Sequence, residues 1–116
     1  MSKSDCVFCK IIQKEIPATV VHDDSDVLVF ENIRPIAPVH LLIVPKRHIE
    51  SVGTAVDGDQ ALLGALQLAA RDVARQLQLD SFKLATNSGA AAGQSVFHLH
   101  YHLLSGQIVP GGLQSL

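Results

Sequence analysis

Apolar residues follow different periods along the chain, and those periods predict the elements. Val7 to Ile16 carries Phe8, Ile11 and Ile12 at helical spacing, which predicts a short helix stopped near Pro17. Val27-Leu28-Val29-Phe30 and Leu41-Leu42-Ile43-Val44 are unbroken apolar runs bounded by turn residues and proline, so both read as strands. Arg34-Pro35-Ile36-Ala37-Pro38 lies between them and reads as a loop. A longer helix is expected over Asp57 to Leu79, with Asp57 as N-cap and Gln60 three residues on. Its Leu62, Leu66, Ala69, Val73 and Leu77 fall on one face and should meet a sheet. Leu63, Ala70 and Ala74 form a second row that an isolated chain would leave in water. Phe82 to Thr86 reads as a strand, Asn87 to Gln94 as a glycine- and alanine-rich loop, and Val96 to Leu104 as the final strand. The tail after Gly106, with Pro110-Gly111-Gly112, should be irregular. This order predicts an α+β domain on an antiparallel sheet.

The final strand holds the densest chemistry. In His98-Leu99-His100-Tyr101-His102-Leu103-Leu104 three histidines alternate with apolar residues. On a strand, positions i, i+2 and i+4 share a face, with roughly 6.6 Å between successive imidazoles. Leu99, Tyr101 and Leu103 then point into the core. Imidazoles titrate near neutrality and need partners for both ring nitrogens, so three on one face suggest a site. A surface strand with fortuitous histidines and a three-histidine zinc centre are the alternatives. Immediately upstream, Gly93-Gln94-Ser95 closes a loop opened by Asn87. Small residues let backbone N–H groups approach an anion, and Gln and Ser add side-chain donors. That favours a phosphate cradle at the mouth of the histidine strand.

Composition narrows the setting. The 116 residues fit one domain spanning 1–116, and 47% hydrophobic with 17% charged residues can bury a core. The net charge of −2 is spread, and no basic run exceeds Lys46-Arg47-His48, which argues against a nucleic-acid surface. No apolar stretch reaches the roughly 18 residues of a membrane span. Met1 to Asp5 is polar, unlike a secretory signal, and the expected compartment is the cytoplasm. A mean hydropathy of +0.27 is high for so small a domain and points to a subunit interface as a sink for apolar surface. Cys6-x-x-Cys9 is compatible with metal, a redox pair or two small buried residues.

Gly93-Gln94-Ser95-Val96-Phe97-His98-Leu99-His100-Tyr101-His102-Leu103-Leu104 resembles the signature of the histidine-triad superfamily of nucleotide hydrolases and transferases. Phe8-Cys9-Lys10-Ile11-Ile12, Glu15-Ile16-Pro17 and Ala37-Pro38-Val39-His40-Leu41-Leu42-Ile43-Val44-Pro45-Lys46 extend the likeness over nearly the whole chain. They resemble the nucleoside phosphoramidase (Hint-like) branch more than the diadenosine polyphosphate hydrolases. The resemblance implies a five-stranded antiparallel sheet with one long helix and a short N-terminal helix, assembled as a homodimer.

It also implies a function. The substrate is a purine nucleoside 5'-phosphoramidate, and His100 attacks its α-phosphorus to form a nucleotidyl-histidine that water cleaves. Dinucleoside polyphosphate hydrolysis or nucleotidyl transfer would share that covalent step, and a binding module with vestigial catalysis is a third class. His102 and Ser95, with Asn87, Gly93 and Gln94, would surround the phosphate. Val7, Phe8, Ile11, Ile16, Phe30, Asn32 and Ile33 would line the nucleoside pocket. Asn32 departs from the aspartate common in relatives, which weakens the expected grip on the ribose hydroxyls. The resemblance further implies a structural zinc on Cys6, Cys9, His48 and His98, and no organic cofactor. His40 is expected either beside His98 or as a satisfied, partly buried histidine, and His22 at the surface.

Overall fold

The computed structural model describes residues 5–106. The tail after Gly106 lies outside the described residues. A short helix α1 (Val7–Ile12) leads into β1 (Val20–Asp23), β2 (Val27–Glu31) and β3 (Val39–Pro45). The long helix α2 (Gln60–Gln76) follows, then β4 (Lys83–Ala85) and β5 (Tyr101–Ser105). The strands form one antiparallel sheet in the order β1-β2-β3-β5-β4.

The unbroken apolar runs of β2 and β3 are explained by burial on both faces. Val27, Val29, Leu41 and Ile43 pack against Leu66, Ala69, Ala70 and Val73 of α2. Leu28, Phe30, Leu42 and Val44 face the other way and meet Cys6, Phe8 and Cys9 around α1. Alternation along each strand therefore serves two cores.

Several boundaries differ from the sequence expectation. The first helix ends at Ile12 rather than Ile16, because the chain turns at Lys14, which has φ of 65°. The strand β1 carried too little apolar signal to be foreseen. The long helix begins at Gln60 after a 3-10 turn over Asp57–Asp59. Asp59, not Asp57, accepts the Val56 N–H at 2.9 Å and pairs with Arg47. The helix stops at Gln76, and Leu77, expected to face the sheet, is exposed.

The second row on α2 is also corrected. Ala70 and Ala74 are buried within the protomer and Leu63 is half-buried, because the apolar face of α2 is wider than one row. Ala70 belongs to the core itself. That row leaves no wet stripe for a partner helix.

Candidate active site

The segment carrying the three histidines enters the sheet later than its alternation suggested. Residues 96–100 approach β3 without joining its ladder, and β5 starts at Tyr101. Other groups take the backbone of this approach: Leu99 N–H donates to Ile49 O at 2.6 Å, and Thr86 Oγ1 donates to His100 O at 2.7 Å. The alternation of faces survives. Leu99 and Leu103 are buried in the α2-side core with Tyr101 packed against it, while His98, His100 and His102 are buried on the α1 side.

The three imidazoles have different partners. His98 Nε2 donates to Pro45 O at 2.8 Å, which leaves its Nδ1 lone pair facing Cys6 Sγ at 3.3 Å and Cys9 Sγ at 3.5 Å. His100 Nδ1 donates to His98 O at 2.8 Å, which leaves its Nε2 unprotonated. His102 Nδ1 lies 2.9 Å from His40 Nε2. Ile36 N–H points to His40 Nδ1 at 3.2 Å and Asn32 Nδ2 to His40 Nε2 at 3.2 Å, so a donor faces each nitrogen of the neutral His40 ring. His102 Nε2 is a buried atom without a partner among the described residues.

Burial keeps these rings neutral. It pushes His98 down to about 4 and His102 down to about 3, the latter helped by His100 and His40. Burial lowers His100 as well, opposed by its bond to the His98 carbonyl, and burial lowers His40.

A cavity of about 370 Å³ opens on His100, His102 and Ser95. Every apolar residue expected to line it does so, as do Asn32 and Ile33. Phe8 sets its edge against the His100 ring, with centroids 5.1 Å apart. Leu42, Val96 and Arg34 also line it and were not foreseen; Leu42 was legible as the cross-strand partner of His102 only once the register was known. A second groove of about 400 Å³ beside Lys46, Arg47 and Gly58 contains no histidine, and its two cations pair with Asp23 and Asp59.

The loop before the triad is built differently from the expected cradle. Gln94 is buried, its Nε2 donates to Glu50 O at 2.7 Å and Val96 O at 3.0 Å, and its Oε1 accepts Gly89 N–H at 2.8 Å. Its amide shapes the loop and has no donor left for a phosphate. Asn87 Nδ2 donates to Ala92 O at 2.8 Å, again closing the loop. Gly93 adopts φ of 99°, a conformation that glycine takes without strain. Ser95 remains exposed at the cavity.

Cys6, Cys9, His48 and His98 come together as expected. Cys9 Sγ lies 3.4 Å from His48 Nδ1, and the four ligand atoms lie within 4.8 Å of one another. A tetrahedral ion with bonds of about 2.3 Å to sulfur and 2.0–2.1 Å to nitrogen would set sulfur-nitrogen edges near 3.6 Å. The observed 3.3–3.5 Å fits that set. Neither cysteine forms a disulfide. His40 does not sit beside His98 as expected; Pro45 O takes that place, and His40 serves His102. His22 pairs with Asp24 away from the site.

This geometry has close relatives. A family model for the HIT domain matches residues 13–108. The chain is 47% identical over 104 residues to the HIT-like protein slr1234 of Synechocystis sp., covering 89% of this chain and 91% of that one. The chain belongs to the HIT family. It is 45% identical to the HitA protein of Neisseria gonorrhoeae, over 86% of this chain and 94% of that one. A HIT family hydrolase from Clostridium thermocellum superposes with a TM-score of 0.88 at 45% identity, covering 91% of this chain and 94% of that one. A histidine triad protein from Clostridium difficile gives 0.89 at 38% identity, over 95% and 97%. The HIT fold thus accounts for the sheet, the long helix and the short helix together.

Proposed function

We propose that this HIT protein is a cytoplasmic nucleotide hydrolase or nucleotidyl transferase acting on purine nucleoside 5'-phosphoramidates. One observation carries the reading: His100 Nε2 is held unprotonated beside the unpartnered Nε2 of His102, at the head of an apolar cavity. A base and sugar would lie against Phe8, Ile11 and Phe30, which places the α-phosphate over the two rings. The His100 Nε2 lone pair attacks phosphorus, the bond from phosphorus to the leaving nitrogen breaks, and the departing amine takes a proton from solvent water. Water then attacks the nucleotidyl-histidine, its oxygen replaces the ring nitrogen on phosphorus and its proton returns to solvent, releasing the mononucleotide and the free imidazole. His102 Nε2–H and Ser95 Oγ–H donate to oxygens whose charge grows in each step, a contribution of several kcal/mol for fixed donors. Hydrolysis of a dinucleoside polyphosphate would use the same first step.

Cys6, Cys9, His48 and His98 would hold a zinc ion. Four protein ligands leave no open position, so the ion would tie α1 to the triad segment and supply no reacting group. A second copy of the chain is the proposed partner, met along the open edge of β4, where an unpaired strand invites pairing.

Intact-mass analysis during turnover tests the reaction. A transient gain of one nucleotidyl group on wild type, absent in His100→Ala, is expected. Turnover of a 5'-phosphoramidate without any adduct, or an adduct that persists in His100→Ala, would overturn it.

A further inference from the structure

The polar lining of the cavity falls into two groups. His100, His102 and Ser95 come from the triad segment, and Asn32 and Arg34 from the loop after β2. Glu31 also borders the cavity, but its side chain belongs to the opposite face of the sheet. Leu28 and Phe30 lie in the α1-side core and Val27 and Val29 in the α2-side core, and Glu31 follows Val29 and pairs with Leu41 of that same core.

Asn32 offers a sugar a single acceptor oxygen, one of whose lone pairs is already taken. Its Oδ1 accepts Arg34 N–H at 2.9 Å, which fixes the orientation of the amide. Its Nδ2 then stands 3.2 Å from His40 Nε2. The Asn32–Pro38 loop is held in this form by Pro35 and Pro38 and by the bond from Ile36 N–H to His40. Arg34 is exposed at the mouth, and a guanidinium carries five donors and no acceptor. The loop after β2 therefore offers the cavity N–H donors and a positive charge.

A free ribose diol is read best by a carboxylate that accepts from both hydroxyls, whereas a phosphoryl group has only acceptor oxygens and a negative charge. Dinucleotide-binding folds make the same choice: an acid reads the free hydroxyl, and an arginine takes the phosphorylated one. We propose that the Asn32–Arg34 loop lining the cavity binds a second phosphoryl group, carried on the 2' or 3' oxygen of the nucleotide sugar. The inference rests on the nucleotide reading of the cavity and adds a substrate class to it, the 2'- or 3'-phosphorylated nucleoside 5'-conjugates.

Calorimetric binding of 5'-AMP, adenosine 2',5'-bisphosphate, adenosine 3',5'-bisphosphate and ADP at low salt is the test. One bisphosphate should bind roughly tenfold more tightly than 5'-AMP, and the advantage should shrink with added salt. Arg34→Gln should abolish the advantage, and Asn32→Asp should reverse it in favour of 5'-AMP. Equal affinity for 5'-AMP and both bisphosphates, or an advantage that survives Arg34→Gln, would overturn the proposal. So would an equal gain for ADP lost in Arg34→Gln, which would put the second phosphoryl on the 5' chain. The mass experiment separates the two readings. An adduct without a bisphosphate advantage would sink this inference alone, and a bisphosphate advantage without an adduct would sink only the proposed reaction.

Discussion

His98 and His100 sit two residues apart, are both buried, and share one face of one segment, yet they are prepared for opposite tasks. His98 gives its Nε2 proton to Pro45 O and turns Nδ1 toward two sulfurs. His100 gives its Nδ1 proton to the His98 carbonyl and turns Nε2 into the cavity. Neither burial nor residue type separates them. The backbone carbonyl that each ring finds selects its tautomer, and the tautomer decides whether the free lone pair meets the cysteine–histidine cluster or the cavity. The two ends are also mechanically joined. The peptide that bears one proposed metal ligand orients the proposed nucleophile, and α1 with its N-cap contributes both Cys6 and Cys9 and the Phe8 wall of the cavity.

Removing each ring breaks this comparison in a different way. His100→Ala should reduce turnover by about 10⁴-fold or more while a nucleoside monophosphate still binds, as calorimetry and steady-state kinetics would record. Retention of most of the wild-type rate would mean that the two rings are not divided in this way.

The metal end should answer in stability. One zinc per chain is expected by elemental analysis, and Cys6→Ser should lose it. Chelation should lower the unfolding free energy by about 4 kcal/mol where free metal stands a thousandfold above its Kd. A metal-free wild type whose Tm ignores chelator would remove the ion from the comparison.

Acid should sharpen it next. His102 is held near 3 in the fold against 6.5 in the unfolded chain, and His40 is lowered too. Between those values the unfolded chain binds more protons, so stability is fully present above 6.5 and lost as pH falls toward 3. From pH 7 to pH 5 the loss from His102 should be about 1–2 kcal/mol, allowing for partial solvent screening. Urea midpoints at both pH values should differ less in His102→Gln than in wild type. Parallel slopes would refute the assignment.

The smallest expected effect concerns the strap behind the nucleophile. Thr86→Val deletes the donor to the His100 carbonyl and should cost about 1 kcal/mol in chemical denaturation. It should also lower kcat more than it changes KM. An unchanged kcat would show that the Thr86 bond does not help to hold His100.

The sequence was sufficient for the elements whose signal is local. The apolar runs of β2 and β3, the helical spacing of α2 and the alternation from His98 to Leu103 each describe a surface that one segment must bury, so they can be read without knowing the neighbours. The Cys6-x-x-Cys9 pair and the glycine loop were visible for the same reason. Tertiary structure decided the rest, because each remaining question turned on a partner distant along the chain. Gln94 reads as a phosphate donor until Glu50 O takes its amide, and His40 reads as a neighbour of His98 until the β3–β5 register sets it against His102. Ala70 and Ala74 read as a wet stripe until the packed sheet covers them. A hydrogen bond and a burial fraction are properties of two segments at once, and the spacing within one segment does not contain them.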